Sequence, residues 1–350
     1  SSSDIHINAV VDGEGETFIN FYFRTKNATP WCETGHIVGW EQLQLSSSIK
    51  RLLTQAEQLP LNSLTGTENI VLEVNDLQLE IVDGSIKSMQ WKGQPILVEG
   101  PDMNIWRAPT DNDGIRNRPT QEGKPMTEWL KIGLNELQLK SQSVQLEEVE
   151  DGVTLLIDKC YAPKLSDSTV QFQQRWSFHA DGVVVVDNMI DADTALPTLP
   201  RIGIGFQMAE GFEHVEWYGR GPQENYIDRN AGTKIGRYSG SVDEQYYPYI
   251  LPQENGNKTD VRWFSLSNGD RTVTFTAEDT LEFSVGHYTA DDLFSSYHTN
   301  ELIGKKQAET IVTIDHKQRG LGTGSCGPAT LAKYCVEPGI YRFRYAIKVE

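Results

Sequence analysis

Short β-type segments recur along the chain, and this repetition limits the available folds more than any other feature. In each segment apolar and polar residues alternate, or β-branched and aromatic residues predominate, as in residues 17–23, 69–74, 183–186, 271–277, 309–314 and 341–347. Turn dipeptides lie between them: Asp83-Gly84, Asp151-Gly152, Asp181-Gly182, Asn268-Gly269 and Pro338-Gly339. Many short strands joined by such turns favour antiparallel sheets over alternating strand–helix units. The sequence therefore predicts an all-β protein, built as a sandwich of antiparallel sheets.

Few segments favour a helix. Residues 127–134 suit two helical turns with Gly133 near the C-cap, and the acidic pair Asp291 and Asp292 suits the N-terminus of another short helix. A phosphate-cradling glycine loop should follow a strand and open a helix, and the sequence has no such arrangement. It therefore gives no support for a nucleotide cofactor.

A polar stretch from residue 46 to residue 66 interrupts the strand pattern, which resumes at about Asn69. We therefore predict a separate element in residues 1–45, a linker in residues 46–66 and a large sandwich domain in residues 67–350. The first element has three or four strand-like segments, which is few for an independent sandwich. It is expected to be the end of a domain that begins outside this sequence.

The charge of the chain excludes several classes of partner. Its 350 residues include 31 lysines and arginines against 49 aspartates and glutamates, a formal net charge of −18. This charge repels phosphate backbones and anionic membrane surfaces, so neither nucleic acid nor a membrane is expected as a partner. No apolar run approaches the roughly 18 residues of a membrane-spanning helix. A neutral ligand such as a sugar is not disfavoured.

Three polar clusters in predicted loops are candidates for ligand contact. Residues 106–114 combine an arginine, two carboxylates and an amide, which suits either an Asx-rich turn or a loop facing sugar hydroxyls. Residues 217–229 place aromatic rings beside two arginines and two acids, which suits either a buried ion network or a pyranose ring. Residues 320–328 form a glycine-rich loop without the Lys-Ser/Thr ending of a phosphate loop.

The common motifs of nucleophilic enzymes and zinc sites are absent from the sequence. There is no G-x-S-x-G elbow and no H-E-x-x-H, and the seven histidines are isolated. Cys32, Cys160, Cys326 and Cys335 have no CxxC spacing. We expect free thiols rather than a disulfide framework.

In their order along the chain, these motifs resemble the C-terminal part of the large β-galactosidases of glycoside hydrolase family 2. Residues 29–31 (Thr-Pro-Trp) and 35–45 (Gly-His-Ile-Val-Gly-Trp-Glu-Gln-Leu-Gln-Leu) are similar to the end of the immunoglobulin-like domain that follows the catalytic barrel. Residues 106–113 (Trp-Arg-Ala-Pro-Thr-Asp-Asn-Asp) are similar to a signature near the start of the last domain. Similar stretches follow in family order at residues 219–226 (Gly-Arg-Gly-Pro-Gln-Glu-Asn-Tyr), 247–249 (Tyr-Pro-Tyr) and 252–256 (Pro-Gln-Glu-Asn-Gly).

The resemblance implies a fold and a role. The last domain of this family is a large antiparallel sandwich of the galactose-mutarotase-like type. Retaining glycosidases need two carboxyl groups about 5–5.5 Å apart, and in this family both groups, the divalent metal and Na⁺ belong to the preceding (β/α)₈ barrel. No residue here inherits a catalytic role, and no cofactor or metal is expected in this chain. The residues carried over as the rim of the substrate pocket are Arg107, Asp111, Asn112, Asp113, Gly114, Glu224, Asn225 and Cys326.

The implied partners are the catalytic barrel, as a domain or as a separate subunit, and through it a terminal β-D-galactoside. A homo-oligomeric parent is expected. Two alternatives stay open: a stand-alone carbohydrate-binding module, and an aldose-1-epimerase-like enzyme, which would need a histidine acid and a carboxylate base facing one pocket. No signal peptide is visible, and the compartment, cytoplasmic or periplasmic, is left open.

Two finer expectations concern the loops. Many relatives have a tryptophan where this chain has Cys326. We expect this thiol to be exposed toward the barrel, unbridged, and close to the 111–114 loop and to Glu224 and Asn225. A bridge to Cys335 is the competing arrangement and requires Cα atoms about 4.4–6.8 Å apart. Residues 111–119 are expected to form a mobile rim loop, and an ion pair between Arg107 and Asp111 is the alternative that would anchor its base.

Overall fold

A computed structural model describes residues 15–46, 53–60, 63–65, 69–116, 118, 121–149 and 152–350. The chain divides into two compact units, residues 1–51 and residues 52–350. Each unit is described by itself.

The described part of the first unit is a two-stranded antiparallel hairpin. Strand β1 (Phe18–Arg24) pairs with β2 (Ile37–Gln44) in a register that places Tyr22 opposite Trp40. Several apolar side chains of this unit are exposed, among them Phe23, Trp31 and Val38.

The second unit contains sixteen strands among its described residues. Its first eight are β3 (Ser63–Thr65), β4 (Asn69–Val74), β5 (Leu77–Val82), β6 (Ser85–Trp91), β7 (Gln94–Asn104), β8 (Leu137–Val149), β9 (Gly152–Pro163) and β10 (Val170–Phe178). The remaining eight are β11 (Val183–Ala192), β12 (Arg201–Met208), β13 (His214–Gly221), β14 (Lys234–Ser241), β15 (Lys258–Ser267), β16 (Thr272–Gly286), β17 (Thr310–Gln318) and β18 (Ile340–Val349).

These strands form one sheet, in the order β3-β4-β5-β6-β7-β12-β17-β16-β18-β11-β10-β9-β8, with β15, β13 and β14 branching from β16. Every strand pair in the described part of the sheet is antiparallel. The predicted Asp83-Gly84 turn has positive φ at both residues, 46° and 65°, as a tight hairpin turn between β5 and β6 requires. The predicted all-β antiparallel fold is confirmed.

The main hydrophobic core is built from side chains of most strands, and two smaller clusters of described residues are separate from it. The main core joins residues from distant strands, such as Leu72, Trp176 and Phe283. Phe264 stacks between two rings, 4.3 Å from the centroid of Phe283 and 4.8 Å from that of Phe275. Each buried aromatic or aliphatic side chain contributes about 1.5–3 kcal/mol, which makes this face of the sheet the source of its register.

The two helices occur close to where the sequence predicts them. Helix α1 (Pro125–Ile132) has proline in its first turn and ends at Gly133, whose φ of 71° provides a left-handed C-cap. Helix α2 (Ala290–Phe294) begins with a capping box between Thr289 and Asp292. Short 3₁₀ turns occur at Asp243–Gln245, Thr299–Leu302 and Ala332–Tyr334. Within the described residues, no helix is long and apolar enough to span a bilayer.

Strand β12 shows how the two faces of the sheet differ. Ile204, Phe206 and Met208 are buried in the core. Because side chains alternate along a strand, Gly203 and Gly205 face the opposite side. A Cβ at Gly203 would lie 2.9 Å from the Cα of Asp315 and closer still to that residue's carboxylate, whereas one at Gly205 would meet only the Asn104 side chain, at 3.6 Å or more.

Gly203→Ala should therefore lower the free energy of unfolding by about 1–3 kcal/mol, because the backbone of β17 cannot move away from the added methyl without losing its pairing. Gly286→Ala is the matched control, since a Cβ there has nothing within 4 Å, and its change should stay within about 0.5 kcal/mol. Urea unfolding of the two variants and the parent chain makes the comparison. Equal stability of Gly203→Ala and the parent would contradict the close approach.

Candidate functional site

A buried ion pair holds the loop of residues 106–114. Arg107 and Asp113 are almost fully buried, and the guanidinium binds the carboxylate with two hydrogen bonds, from Nε to Oδ2 at 3.1 Å and from NH2 to Oδ1 at 2.8 Å. The Asp113 carboxylate also accepts the backbone N–H of Thr110 at 2.9 Å. The alternative considered for the loop base, an ion pair of Arg107 with Asp111, is not formed, and Arg107 pairs with Asp113 instead. Both predicted rim residues thus lie beneath the loop and shape it from inside.

The Arg107 guanidinium also joins this loop to the end of β17. Its NH1 donates to the carbonyl oxygen of Arg319 at 2.7 Å and to Oε1 of Gln318 at 3.2 Å. Gln318 in turn donates to Asp315 at 3.2 Å, and Asp315 lies 3.6 Å from Arg201 Nε. Arg201 also donates to Glu254. A continuous polar network therefore lies under the candidate site.

Burial shifts the protonation of this network. The pKa of the Glu282 carboxyl is raised to about 8 by burial, although Asn257 donates to it at 2.7 Å. Burial likewise raises the pKa of Asp315 to about 7, against the lowering effect of Arg201. The pKa of Arg201 is raised, because the attraction of Asp315 and Glu254 outweighs its own burial. The positive charge of Arg201 is thus compensated within the network.

Two residues of the loop face its neighbours rather than its interior. The backbone N–H of Asp111 donates to Gln253 Oε1 at 3.0 Å. The side-chain amide of Asn112 binds the glycine-rich loop through both of its polar atoms. Nδ2 donates to the Gly322 carbonyl at 3.1 Å, and Oδ1 accepts a hydrogen bond from the Ser325 N–H at 3.1 Å. Gly114 follows with a φ of 155°, at the upper limit of the range that disfavours side chains. The first and third sequence clusters therefore form one surface.

The mobile-loop expectation for residues 111–119 is not supported by the packing of its first half. Arg116 is buried, donates to the carbonyls of Pro252 at 2.5 Å and Leu293 at 3.3 Å, and also binds the carbonyl of Phe294. Residues 117 and 119 lie outside the described residues. No sequence pattern indicates this role of Arg116, because its three acceptors are backbone carbonyls far along the chain.

In the second cluster, Asn225 has a structural role and Glu224 lies at a cleft. Asn225 is fully buried, and its Oδ1 accepts both the N–H of Thr259 at 2.9 Å and its hydroxyl at 2.6 Å. Glu224 accepts Arg229 NH2 at 2.6 Å, the N–H of Gly256 at 2.9 Å and the hydroxyl of Tyr249. The ion network predicted here is present in part, as the pair of Glu224 with Arg229.

Asp228 connects the second cluster to the glycine-rich loop, and sequence reasoning missed it. Its carboxylate accepts the N–H groups of Leu321 at 2.9 Å and Gly322 at 2.7 Å, and the hydroxyl of Thr330 at 2.8 Å. Burial acts to raise its pKa, but these hydrogen bonds outweigh that effect and hold the pKa below its usual value. Its sequence neighbours carry no signal of this role, because the bonded amides lie more than ninety positions away.

Cys326 is exposed and its thiol is free, as predicted. It lies in the glycine-rich loop one residue after Ser325, whose N–H binds Asn112, so it is close to the 111–114 loop. The competing bridge to Cys335 is not formed, and the Cys335 sulfur accepts a hydrogen bond from Arg319 at 3.0 Å. The eight predicted rim residues thus divide into an exposed or half-buried set (Asp111, Asn112, Glu224 and Cys326) and a buried set (Arg107, Asp113, Gly114 and Asn225).

A cleft of about 810 Å³ lies beside the second cluster, and its lining does not include Asp111, Asn112 or Cys326. Its lining includes Glu224, Asp228, Arg229, Tyr247 and Tyr249. Its deepest cation is Lys258, whose pKa is lowered to about 8 by burial, partly offset by Glu224. No cluster of three or more His, Cys, Asp or Glu side chains suited to a metal ion occurs within the residues that the structure describes. The cleft offers aromatic faces and hydrogen-bonding groups, the combination that suits a sugar.

Comparisons with known proteins agree with the residue patterns. A family model described as β-galactosidase small chain matches residues 74–347, and one described as β-galactosidase domain 4 matches residues 1–46. Among curated proteins the chain is 26% identical to a β-galactosidase of Actinobacillus pleuropneumoniae over 331 residues, which are 93% of this chain and 31% of that protein. It is 29% identical to a β-galactosidase of Priestia megaterium over 88% of this chain and 29% of that protein.

Solved structures similar to this chain share little sequence with it. A galactose mutarotase-like protein from Lactobacillus casei covers 81% of this chain over its own full length, with a TM-score of 0.44 and 9% identity. A protein described as a putative aldose 1-epimerase from Escherichia coli gives a TM-score of 0.40 and 13% identity, and covers 82% of this chain and 99% of its own.

Asp113→Asn should lower the free energy of unfolding by about 3–5 kcal/mol, because it leaves the Arg107 charge buried without its partner. Asp111→Asn is the matched control, because it removes a charge from a half-buried side chain two positions before Asp113. It should lower the free energy of unfolding by less than about 1 kcal/mol. Urea unfolding at neutral pH measures both. A similar small loss in the two variants would contradict the role given to the buried pair.

The raised pKa of Glu282 predicts a pH dependence of stability. The folded chain keeps this proton up to about pH 8, whereas the unfolded chain releases it near about pH 4.3, so the free energy of unfolding should fall as the pH rises through this window. Glu282→Gln stays neutral, so its stability should fall less steeply between about pH 5 and pH 8. Asp315 acts in the same direction and leaves a residual slope. Parallel stability curves for variant and parent would contradict the assignment.

Proposed function

The chain belongs to the β-galactosidase small-chain family over residues 74–347, and from this premise we propose that it is the accessory C-terminal region of a β-galactosidase. In this proposal the complete enzyme hydrolyses terminal β-D-galactosides. This chain supplies loops to the rim of the substrate pocket and contacts for assembly, while the catalytic carboxylates belong to a barrel domain or subunit. The chain spans 29–31% of the length of the β-galactosidases cited above.

The order of the two family matches carries the proposal. The domain 4 match in residues 1–46 precedes the small-chain match in residues 74–347, so this chain continues from one β-galactosidase part into another. A stand-alone carbohydrate-binding module would not need the first part. The exposed apolar side chains Phe23, Trp31 and Val38 on the first unit suit contact with the rest of that domain.

The use of the carboxylates supports an accessory role. Asp113, Glu254 and Glu224 are each bound by an arginine, and Asp228 is bound by backbone amides and a hydroxyl. A glycosidase acid and nucleophile must instead face the sugar across about 5–5.5 Å. These four groups serve the loops, and the proposal therefore places the chemistry on the barrel.

The exposed loops are the proposed rim. Asn112 holds the glycine-rich loop against the 106–114 loop, and Asp228 holds it against the second cluster. These contacts give the loops that carry Asp111 and Cys326 defined positions relative to the second cluster. Since a thiol offers less stacking surface than an indole, any contact of Cys326 with a sugar is expected to be weak.

An aldose-1-epimerase-like activity is less well supported. It needs a histidine and a carboxylate free to exchange protons with one sugar. His287 is buried, and both of its ring nitrogens are engaged, Nδ1 with the Glu309 carbonyl at 2.9 Å and Nε2 with Glu213 at 3.1 Å. Neither nitrogen is available to a substrate in this arrangement.

The purified chain should show no turnover of a chromogenic β-galactoside, and turnover should appear when it is mixed with the barrel-containing polypeptide of its parent. In that mixture Asp111→Ala should raise KM about tenfold, because a rim contact to substrate is lost. Asp270→Ala, in an exposed turn, is the control and should leave KM unchanged. Turnover by the chain alone that survives repurification would contradict the proposal.

A further inference from the structure

The face of the sheet opposite the core is polar over four adjacent strands, β7, β12, β17 and β16. The pairing register places two rows of residues across them. One row contains Asp102, Gly205, Thr313 and Ser284, and the next contains Glu99, Gln207, Ile311 and Gly286. Since neighbouring residues such as Phe206, Val312 and Val285 lie in the core, alternation directs both rows to the other side.

A cavity of about 320 Å³ lies on this polar face. The two rows form its floor, and loops after β14 and β16 supply Tyr246, Tyr288 and His287 to its wall. The rings of Tyr246 and Tyr288 are 5.4 Å apart and tilted by 54°. This volume is at the lower end of the range of about 300–1,000 Å³ for small-molecule sites.

The cavity has room because glycines occupy its floor. A Cβ at Gly286 would have nothing within 4 Å, and a Cβ at Gly205 would meet only the Asn104 side chain, at 3.6 Å or more. Neither glycine has a positive φ. Backbone conformation therefore does not require glycine at these two positions. A side chain at either one would occupy part of the cavity, so glycine is what keeps its floor open.

A buried donor at the edge of this cavity lacks a hydrogen-bond acceptor. Arg201 is 1% exposed and lines the cavity together with Glu254. Its Nε makes no hydrogen bond within the described part of the chain, and Asp315 Oδ2 at 3.6 Å is too distant to accept one. Nε itself is inaccessible to a ligand in the cavity, so Arg201 contributes by holding Glu254, which lines the cavity, through its NH2 group.

The lining chemistry selects a neutral polyhydroxylated ligand. Among its charged groups Glu254 is paired with Arg201 and Asp102 with Lys159, and Glu99 balances Lys87 in number, so the lining has no excess positive charge to attract an anion. Carboxylates, the Gln207 amide and the hydroxyls of Ser284 and Thr313 can each bind sugar hydroxyls, which both donate and accept. We propose that this cavity is a second carbohydrate site for a neutral pyranose, distinct from the cleft beside the second cluster although Tyr246 lines both.

The proposal can be tested with the 350-residue chain and four probes: D-galactose, D-glucose, methyl β-D-galactopyranoside and D-galacturonate. Saturation-transfer NMR and calorimetry should detect binding of at least one neutral pyranose. D-Galacturonate should bind at least about tenfold more weakly, because its carboxylate would lose hydration in a lining whose buried cation, Arg201, is already paired with Glu254. Absence of neutral-sugar binding, or preferential binding of the acid, would overturn the proposal.

Gly286→Leu should reduce the affinity for the bound sugar at least about tenfold, since its side chain fills the cavity. Gly304→Leu is the matched control, because a Cβ there also has nothing within 4 Å and this residue is not in the cavity lining, and it should leave the affinity unchanged. If Gly286→Leu does not fold, Gln207→Ala provides the second variant and should weaken binding several-fold. Binding unaffected by the substitution that folds would place the sugar elsewhere and overturn the proposal.

This test is independent of the proposed accessory function. Binding is measured without turnover and without the barrel polypeptide. A chain that restores galactoside hydrolysis but binds no sugar in the cavity would overturn only the second site. A chain that binds sugar through Gly286-dependent contacts but restores no hydrolysis would overturn only the accessory function.

Discussion

The buried Arg107 guanidinium is the group on which the arrangement of the loops depends. It binds Asp113 inside its own loop and the carbonyl of Arg319 at the end of β17. Removing two charges from water is costly, and the cost is offset only when each donor and acceptor finds a partner. Because this pair meets that condition, residues 106–114 and the start of the glycine-rich loop occupy fixed positions relative to each other. Asn112 and Asp228 then join the remaining loops to this base.

The sheet provides the second level of organisation, through its two unlike faces. One face is closed by aromatic and aliphatic packing, and its cohesion fixes the register of every strand. That register forces small and polar residues into rows on the other face. Gly203 serves close packing against Asp315, while Gly205 and Gly286 leave a cavity. The same alternation thus produces both a stable core and an open polar surface.

Membership of the β-galactosidase small-chain family agrees with the way the chain uses its acids. Of the carboxylates around the cleft, Glu224 is bound by Arg229 and Asp228 by backbone amides, which suits positioning of loops more than proton transfer. In the proposed accessory role, the ion pairs beneath the loops therefore have a functional consequence. They keep the proposed rim in place when the barrel domain or subunit binds against it.

The sequence alone determined the all-β class, the tight hairpin turn at Asp83-Gly84 and both helices, because strand alternation, turn chemistry and capping act over a few residues. It also predicted that Cys326 is an exposed, free thiol. Only the tertiary structure decided that Arg107 binds Asp113 rather than Asp111, that Arg116 is anchored by distant carbonyls, and that Asp228 holds the glycine-rich loop. These contacts join residues up to about two hundred positions apart, and local preferences carry no information on which of many acids reaches a given donor.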